Sequence, residues 1–324
     1  MSNTTRYQLM LKWLQLFYKG NNFQISVASN DASFRRYFRL KVANGSKIIM
    51  DAPPEHEDVR PFVTIARLLS RHDVPVPHIY AEDAQQGFLL LDDFGTTPYL
   101  DILTADSADR LYHQAIDQII QMQAIAQPPD IPLYDASLLM RELTLFDEWF
   151  LERHLQLKPP ALLQKLYPLL LDNALSEPQC FVHRDYHSRN LMQLSDGSVG
   201  IIDFQDAVWG PASYDLVSLL KDAYIQWPAH KITQWLRYYY ERSNHHNVTF
   251  TDFDNFKKSF EFMGLQRHLK VLGIFCRLHY RDNKSQYLND LKVVLNYVTE
   301  VCSRYPELQP LAAFLDENKI EQRV

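Results

Sequence analysis

The side chains that could do chemistry are concentrated in one stretch, Phe181 to Asp206, which reads FVHRDYHSRNLMQLSDGSVGIIDFQD. His183, Asp185 and Asn190 stand in the spacing H-x-D-x-x-x-x-N, and Asp203 follows in IIDF after an Asp196-Gly197 turn set between two short apolar runs. An Asp-Gly pair between such runs predicts a hairpin. A loop carrying a carboxylate and an amide is thus followed by a hairpin that returns a second carboxylate. That order suits transfer of a phosphoryl group from ATP. Asp185 can accept the proton of an attacking hydroxyl, while Asn190 and Asp203 can supply oxygen ligands to a magnesium ion that neutralises the β- and γ-phosphates. Magnesium takes hard oxygen donors, whereas thiolate or imidazole in these places would select other metals. The plainer reading is a polar loop with Asp203 capping a strand, and it leaves the shared order, spacing and strand context unexplained.

The elements that must position these groups fall into two regions. Thr4 or Thr5 can cap a first helix on which Leu9, Met10, Trp13, Leu14 and Phe17 recur at helical spacing, with Gly20 and Asn21 ending it. The period then changes to that of strands: Phe23 to Ala28, Arg35 to Val42 and Lys47 to Asp51, the last two joined through Asn44-Gly45-Ser46. After Pro53-Pro54 a helix is predicted from Glu57 to Arg71, then strands at His78 to Ala81 and Gly87 to Asp92, with Gly95 closing the region. From Asp101 the pattern is mainly helical, over roughly 105–126, 136–156, 161–175, 213–225, 229–242, 252–281, 285–304 and 307–317. The expected fold class is α+β: residues 1–94 form a small antiparallel-sheet lobe with one helix, and residues 95–324 a larger, mostly helical lobe. No Gly/Ser-rich linker separates them, so Asp92 to Thr97 is the expected hinge.

Composition narrows the function further. A chain of 324 residues with 46% hydrophobic content can bury a large core, and the net charge of −6 gives no reason to expect nucleic acid as a partner. Cys180, Cys276 and Cys302 lie far apart without metal spacing, as in a reduced compartment. The N-terminal residues lack a signal-peptide pattern and no apolar run approaches membrane-spanning length, so a soluble, cytoplasmic, monomeric protein is expected.

The order of strands, single helix, hinge, HRDYHSRN loop, IIDFQD and helices resembles the aminoglycoside-phosphotransferase branch of the protein-kinase-like fold. DASFRRYFR (31–39), MDAPPEHED (50–58), FLLLDDFG (88–95), HRDYHSRNLM (183–192), DFQDAVWGPASYDL (203–216) and QRHLKVLGIF (266–275) are similar, within that branch, to the anomeric amino-sugar kinases of bacterial cell-wall recycling. The resemblance implies ATP and Mg2+ as cofactors, and an acceptor that is the anomeric hydroxyl of N-acetylmuramate, N-acetylglucosamine or both. It also implies that Asp185 is the catalytic base, that His183 and Asp215 support its loop, and that Asn190 and Asp203 hold metal. Backbone groups around Leu91, Asp92, Asp93 and Phe94 would meet adenine. His187, Arg189, Gln205 and Asp206 would lie beside the acceptor or the phosphates, with loop packing as the alternative for His187 and Arg189.

Two features depart from the protein-kinase pattern. The stretch expected over the phosphates, Ser29 to Phe34 with Ser33 near its end, contains no glycine. On the third strand Met50 stands where a lysine is usual, with Lys47 on the opposite face, and a thioether cannot pair with phosphate. Arg36 shares a face with Phe38, Leu40 and Val42 and is the expected substitute, unless it is a snorkelling surface arginine. With no lysine there, the acidic partner expected from Glu55, Glu57 or Asp58 has no evident task. In the helical lobe, Arg267, Lys270, Arg277 and Arg281 fall in one stripe of a single predicted helix. The stripe is either that helix's solvated side or the border of a pocket for an anionic acceptor. An aminoglycoside or choline phosphotransferase, or a catalytically dead regulator, remain the alternative functions.

Overall fold

The computed structural model describes residues 3–18, 23–30, 34–243 and 248–324. Ser33, Gly20 and Asn21 lie outside the described residues. The chain divides into two compact units, one comprising Met1–Thr97 with Met192–Asp206, the other Pro98–Leu191 with Ala207–Val324. This places the division at Thr97/Pro98 where the sequence suggested Phe94/Gly95, and it groups the hairpin segment with the sheet.

In the first unit, α1 (Asn3–Leu14) precedes β1 (Gln24–Asn30), β2 (Arg36–Val42) and β3 (Gly45–Asp51), followed by α2 (Arg60–Arg71), β4 (Ile79–Asp83) and β5 (Phe88–Asp92). The five strands form one antiparallel sheet in the order β1-β2-β3-β5-β4. Met10, Trp13 and Leu14 of α1 pack on Leu40, Ile49, Phe88 and Leu90, which alternate along their strands and therefore share one face. Each of these side chains stabilises the unit by about 1.5–3 kcal/mol on burial.

That same face carries Arg36, and here the structure corrects the expectation. Arg36 and Arg6 of α1 both form ion pairs with Asp51, the cross-strand partner of Arg36. Asp51 is 0% exposed, so Arg36, its side chain still partly exposed, is held by a buried counter-charge beside α1. Asp51→Ala should lower stability by about 3–5 kcal/mol, because it leaves the buried Arg6 guanidinium without its counter-charge. A urea titration of the variant checks this, and a loss below 1 kcal/mol would show that the clamp contributes little.

The hairpin joins this unit through the backbone. β7 (Leu191–Gln193) and β8 (Val199–Ile201) form the two-stranded sheet expected around Asp196-Gly197. Gln193 N donates to the Thr97 carbonyl at 2.9 Å and Ile201 N to that of Pro75 at 2.8 Å. Gly200 is required here, since a Cβ would come within 2.6 Å of the Phe94 ring.

The second unit is helical: α3 (Tyr99–Ile102), α4 (Ala108–Gln123), α5 (Ala136–Leu145), α6 (Leu163–Ser176), α7 (Tyr214–Leu220), α8 (Ala229–Ser243), α9 (Phe253–Tyr280), α10 (Leu291–Arg304) and α11 (Gln309–Glu317). The helix expected over 136–156 passes from α5 into a π-helix at Phe146–His154. One sheet was not anticipated. β6 (Gln179–Val182) and β9 (Val208–Pro211) pair antiparallel, with Val182 opposite Val208, so His183 emerges beside the residues that enter β9, and Gln179 lies opposite Pro211, where the chain turns toward α7. Gly210 lets Tyr134 pack on this ribbon, since a Cβ there would come within 2.7 Å of the tyrosine Cβ.

Beneath the ribbon, buried Glu177 accepts from Ser213 N at 2.9 Å and from Ser213 Oγ at 2.8 Å. Burial nevertheless dominates and pushes its carboxyl from the ordinary 4.5 up to about 7. Between these values the folded chain holds a proton that the unfolded chain has lost, so stability should fall as pH rises through this window. The slope contributed by one such group is at most about 1.4 kcal/mol per pH unit. Thermal melts across this range should show that contribution in the native protein and its absence in Glu177→Gln, which carries no titrating proton.

Candidate active site

In the second unit the loop after β6 is held from both ends of α7. Asp215 accepts from the backbone amides of His183 at 2.7 Å and Arg184 at 3.0 Å. Asp222, just past the helix, accepts from Ser188 N at 2.9 Å and Ser188 Oγ at 2.6 Å. Arg184 sits at φ 76°, a left-handed conformation that costs an L-residue about 1–3 kcal/mol and is sustained by these contacts. The His183 ring accepts the Asp185 amide at 3.3 Å, and Asn190 Nδ2 donates to the Asp185 carbonyl at 2.9 Å. His183 and Asp215 therefore stand where support for the loop is needed. The Asn190 amide is oriented through its nitrogen.

Around Asp185 the charges are positive. Burial alone would raise its carboxyl, but Lys270, His187, Arg267 and Arg184 outweigh burial and hold it below the ordinary carboxylate range. Lys270 is 7% exposed and bonds Glu142 at 2.8 Å and the Tyr214 hydroxyl at 2.9 Å. Glu142 also accepts from Arg184 and from the Tyr134 hydroxyl. One buried carboxylate thus anchors two of the cations that face Asp185. Arg267 is 4% exposed, and its Nε and Nη1 have no hydrogen-bond partner among the described residues. His187 lies edge-on to Tyr224, and its buried Nδ1 is likewise unpartnered. Arg189 is exposed and stacks 3.6 Å from the Tyr224 ring centroid.

The stripe on α9 therefore has two different environments. Arg267 and Lys270 are buried at the loop, so the solvated-side alternative fails for them. Arg277 is half-buried, and Arg281 lies past the helix end, where it pairs with Asp282 in solvent. The structure brings the first two to Asp185 and leaves Arg281 outside that group. Glu142, Tyr134, Tyr214 and Asp222 were not singled out from sequence. The only local signal was the Tyr-Asp pair at 214–215, because the partners come from distant elements.

In the first unit, Asp203 adopts φ 66°, a second left-handed residue, and accepts from Gln205 Nε2 at 2.7 Å. The same amide lies 3.4 Å from Asp206. Arg35, immediately before β2, bonds Glu57 at 3.2 Å and lies in the field of Asp203 and Asp206, while Tyr37, two residues on, pairs with Met50. Met50 is buried. Glu57 thus has a partner after all, an arginine two positions before Tyr37. At the end of β5, Leu91 pairs with Ile48 and is buried. Asp92 accepts from Lys47, Tyr80 and the His78 amide, and Asp93 receives the Arg39 guanidinium at 2.6 Å and 3.0 Å. Phe94 packs on the hairpin at Gly200.

Carboxylate and amide oxygens are the hard donors that a phosphate-bound magnesium ion takes, one or two from the protein. Among the described residues there is no cluster of three or more His, Cys, Asp or Glu that could hold a metal ion. Two-lobed architecture and loop chemistry together define a phosphotransferase. Residues 24–248 match the phosphotransferase enzyme family, APH, and the chain belongs to that family.

Its relatives are specific. It is 46% identical over 298 residues to the N-acetylmuramate/N-acetylglucosamine kinase of Pseudomonas putida, covering 90% of this chain and 88% of that protein. With the protein of the same name from Pseudomonas aeruginosa it shares 41% identity over 330 residues, 97% of each. Choline kinase LicA from Streptococcus pneumoniae shares the fold, with a TM-score of 0.65 at 10% identity over 90% of this chain and 98% of that one. The protein is an enzyme with kinase chemistry. No helix among the described residues is long and apolar enough to cross a membrane.

Proposed function

We propose that this enzyme transfers the γ-phosphoryl group of ATP to the anomeric hydroxyl of N-acetylmuramate, N-acetylglucosamine or both, in the reuse of peptidoglycan sugars. The observation that carries the acceptor class is the set of cations around Asp185, with two unpartnered donors on buried Arg267. Such a site suits a neutral or anionic sugar, and it repels choline or an aminoglycoside, which need carboxylates free of other partners. Buried Glu142 is already engaged by Lys270 and Arg184, and buried Asp215 and Asp222 by the amides of His183, Arg184 and Ser188.

In this reading Asp185 orients the hydroxyl and takes its proton. Asn190 and Asp203 hold a magnesium ion that draws charge from the transferring phosphate, and Gln205 steadies Asp203. Backbone groups from Leu91 to Phe94 receive adenine. Arg189 and Asp206 border the acceptor or the phosphates. A cytoplasmic location accords with three buried cysteines, none of them in a disulfide.

Arg35, in ion pair with Glu57, supplies on the Met50 face the positive charge that Met50 cannot, and so takes the part first given to Arg36. Arg35→Ala should raise the Michaelis constant for ATP about ten- to a hundredfold, the worth of one charge-assisted hydrogen bond. Arg36→Ala should lower the melting temperature and leave that constant nearly unchanged. Steady-state kinetics on the two variants separate these roles, and the opposite pattern would restore Arg36. For the acceptor, a nucleotide-turnover assay over both amino sugars, choline and an aminoglycoside is decisive. Turnover only with the cationic acceptors would overturn the proposal.

A further inference from the structure

Away from the loop, α8, α9 and α10 border a partly open pocket of about 160 Å3 lined by Lys221, His230, Lys257, Glu261, Glu300 and Arg304 among others. Lys221 is 3% exposed, and its ammonium has no hydrogen-bond partner among the described residues. Phe260 and Tyr297 rings stand 5.7 Å from that nitrogen. Burial pushes the Lys221 amine below its ordinary value, against the pull of Glu261 and Glu300, so a bound anion would stabilise its charged form. The two carboxylates do not provide a bonded one. Both are gripped by the Arg304 guanidinium, and the second oxygen of Glu261 is itself unpartnered and buried. The cavity therefore offers one orphaned cationic donor, one orphaned anionic acceptor, and further cations in Lys257 and Arg304.

We infer that this cavity binds a small oxyanion that also carries a hydroxyl, of the hydrogenphosphate class. An unprotonated oxygen accepts from Lys221 while the acidic P–OH donates to Glu261, so both orphaned groups are satisfied by one molecule. The volume holds about five waters at some 30 Å3 each and lies below the range of nucleotide-sized pockets, so inorganic phosphate fits where a nucleotide does not. Lys221 adjoins Asp222, which accepts from Ser188 of the loop that carries Asp185. The binding claim is independent of the proposed sugar acceptor.

Thermal melts of the full chain in inorganic phosphate, with sulfate at equal ionic strength as control, test the inference. Sulfate has no proton to give at neutral pH and reports the general salting effect. Phosphate at a hundredfold excess over its dissociation constant should raise Tm by a few degrees beyond sulfate. Lys221→Met, which keeps the apolar stem and removes the ammonium, should abolish that difference while its phosphate-free Tm stays level or rises. Lys257→Ala should weaken the difference without unfolding the protein. Equal effects of phosphate and sulfate would show that the cavity holds only water, and a phosphate effect surviving in Lys221→Met would place the anion elsewhere. Either result overturns the assignment.

Discussion

Asp185→Asn should yield an enzyme that still binds nucleotide and sugar but turns over about 10²- to 10⁴-fold more slowly, the usual worth of a positioned proton acceptor. The carboxamide preserves shape and the bond from Asn190 to the backbone carbonyl of residue 185, which does not involve the side chain. What it removes is the charge that receives the hydroxyl proton. Because the surrounding cations keep Asp185 ionised below the ordinary carboxylate range, the native rate should show no loss from its protonation near neutrality. Pre-steady-state turnover together with equilibrium binding of nucleotide and sugar separates the two effects. Near-normal turnover in the variant would remove Asp185 from its assigned role. Parallel loss of binding and rate would point to a collapsed loop.

Arg267→Ala should discriminate between two sugars that differ by one group. N-acetylmuramate carries a lactyl carboxylate that N-acetylglucosamine lacks, and the unpartnered Nε and Nη1 of Arg267 are suited to it. Loss of a charge-assisted hydrogen bond corresponds to about 1.5–3 kcal/mol, or roughly ten- to a hundredfold in kcat/KM for the acidic sugar alone. Lys270→Ala should behave differently. It strips a counter-charge from Glu142, which Arg184 also uses, so both sugars should suffer together. A non-selective loss at Arg267 would make it a structural cation that offsets the buried charge around Asp185.

Much of this was legible along the chain. The H-x-D-x-x-x-x-N spacing, the Asp-Gly hairpin and the return to Asp203 are local patterns, and local turn chemistry and two-residue alternation suffice to read them. The strand segments of the five-stranded sheet were also legible, because β-branched and aromatic runs broken by Gly and Pro carry their own signal. Alternation could say that Arg36, Phe38 and Leu40 share a face. It could not say that α1 would cover that face and commit Arg36 to Asp51, which left Arg35 on the other side with Glu57. Likewise, helical geometry placed Arg267 and Lys270 in one stripe but could not tell water from protein beside it. A buried cation is costly unless an anion or a ligand meets it, and for Lys270 that anion is Glu142, more than a hundred residues away on α5. The β6–β9 ribbon escaped detection for the same reason: each strand is only four residues long and becomes a strand through its distant partner. Spacing determined which groups could do the chemistry, and tertiary packing decided which charges remain available for it, since availability depends on partners that sequence proximity does not reveal.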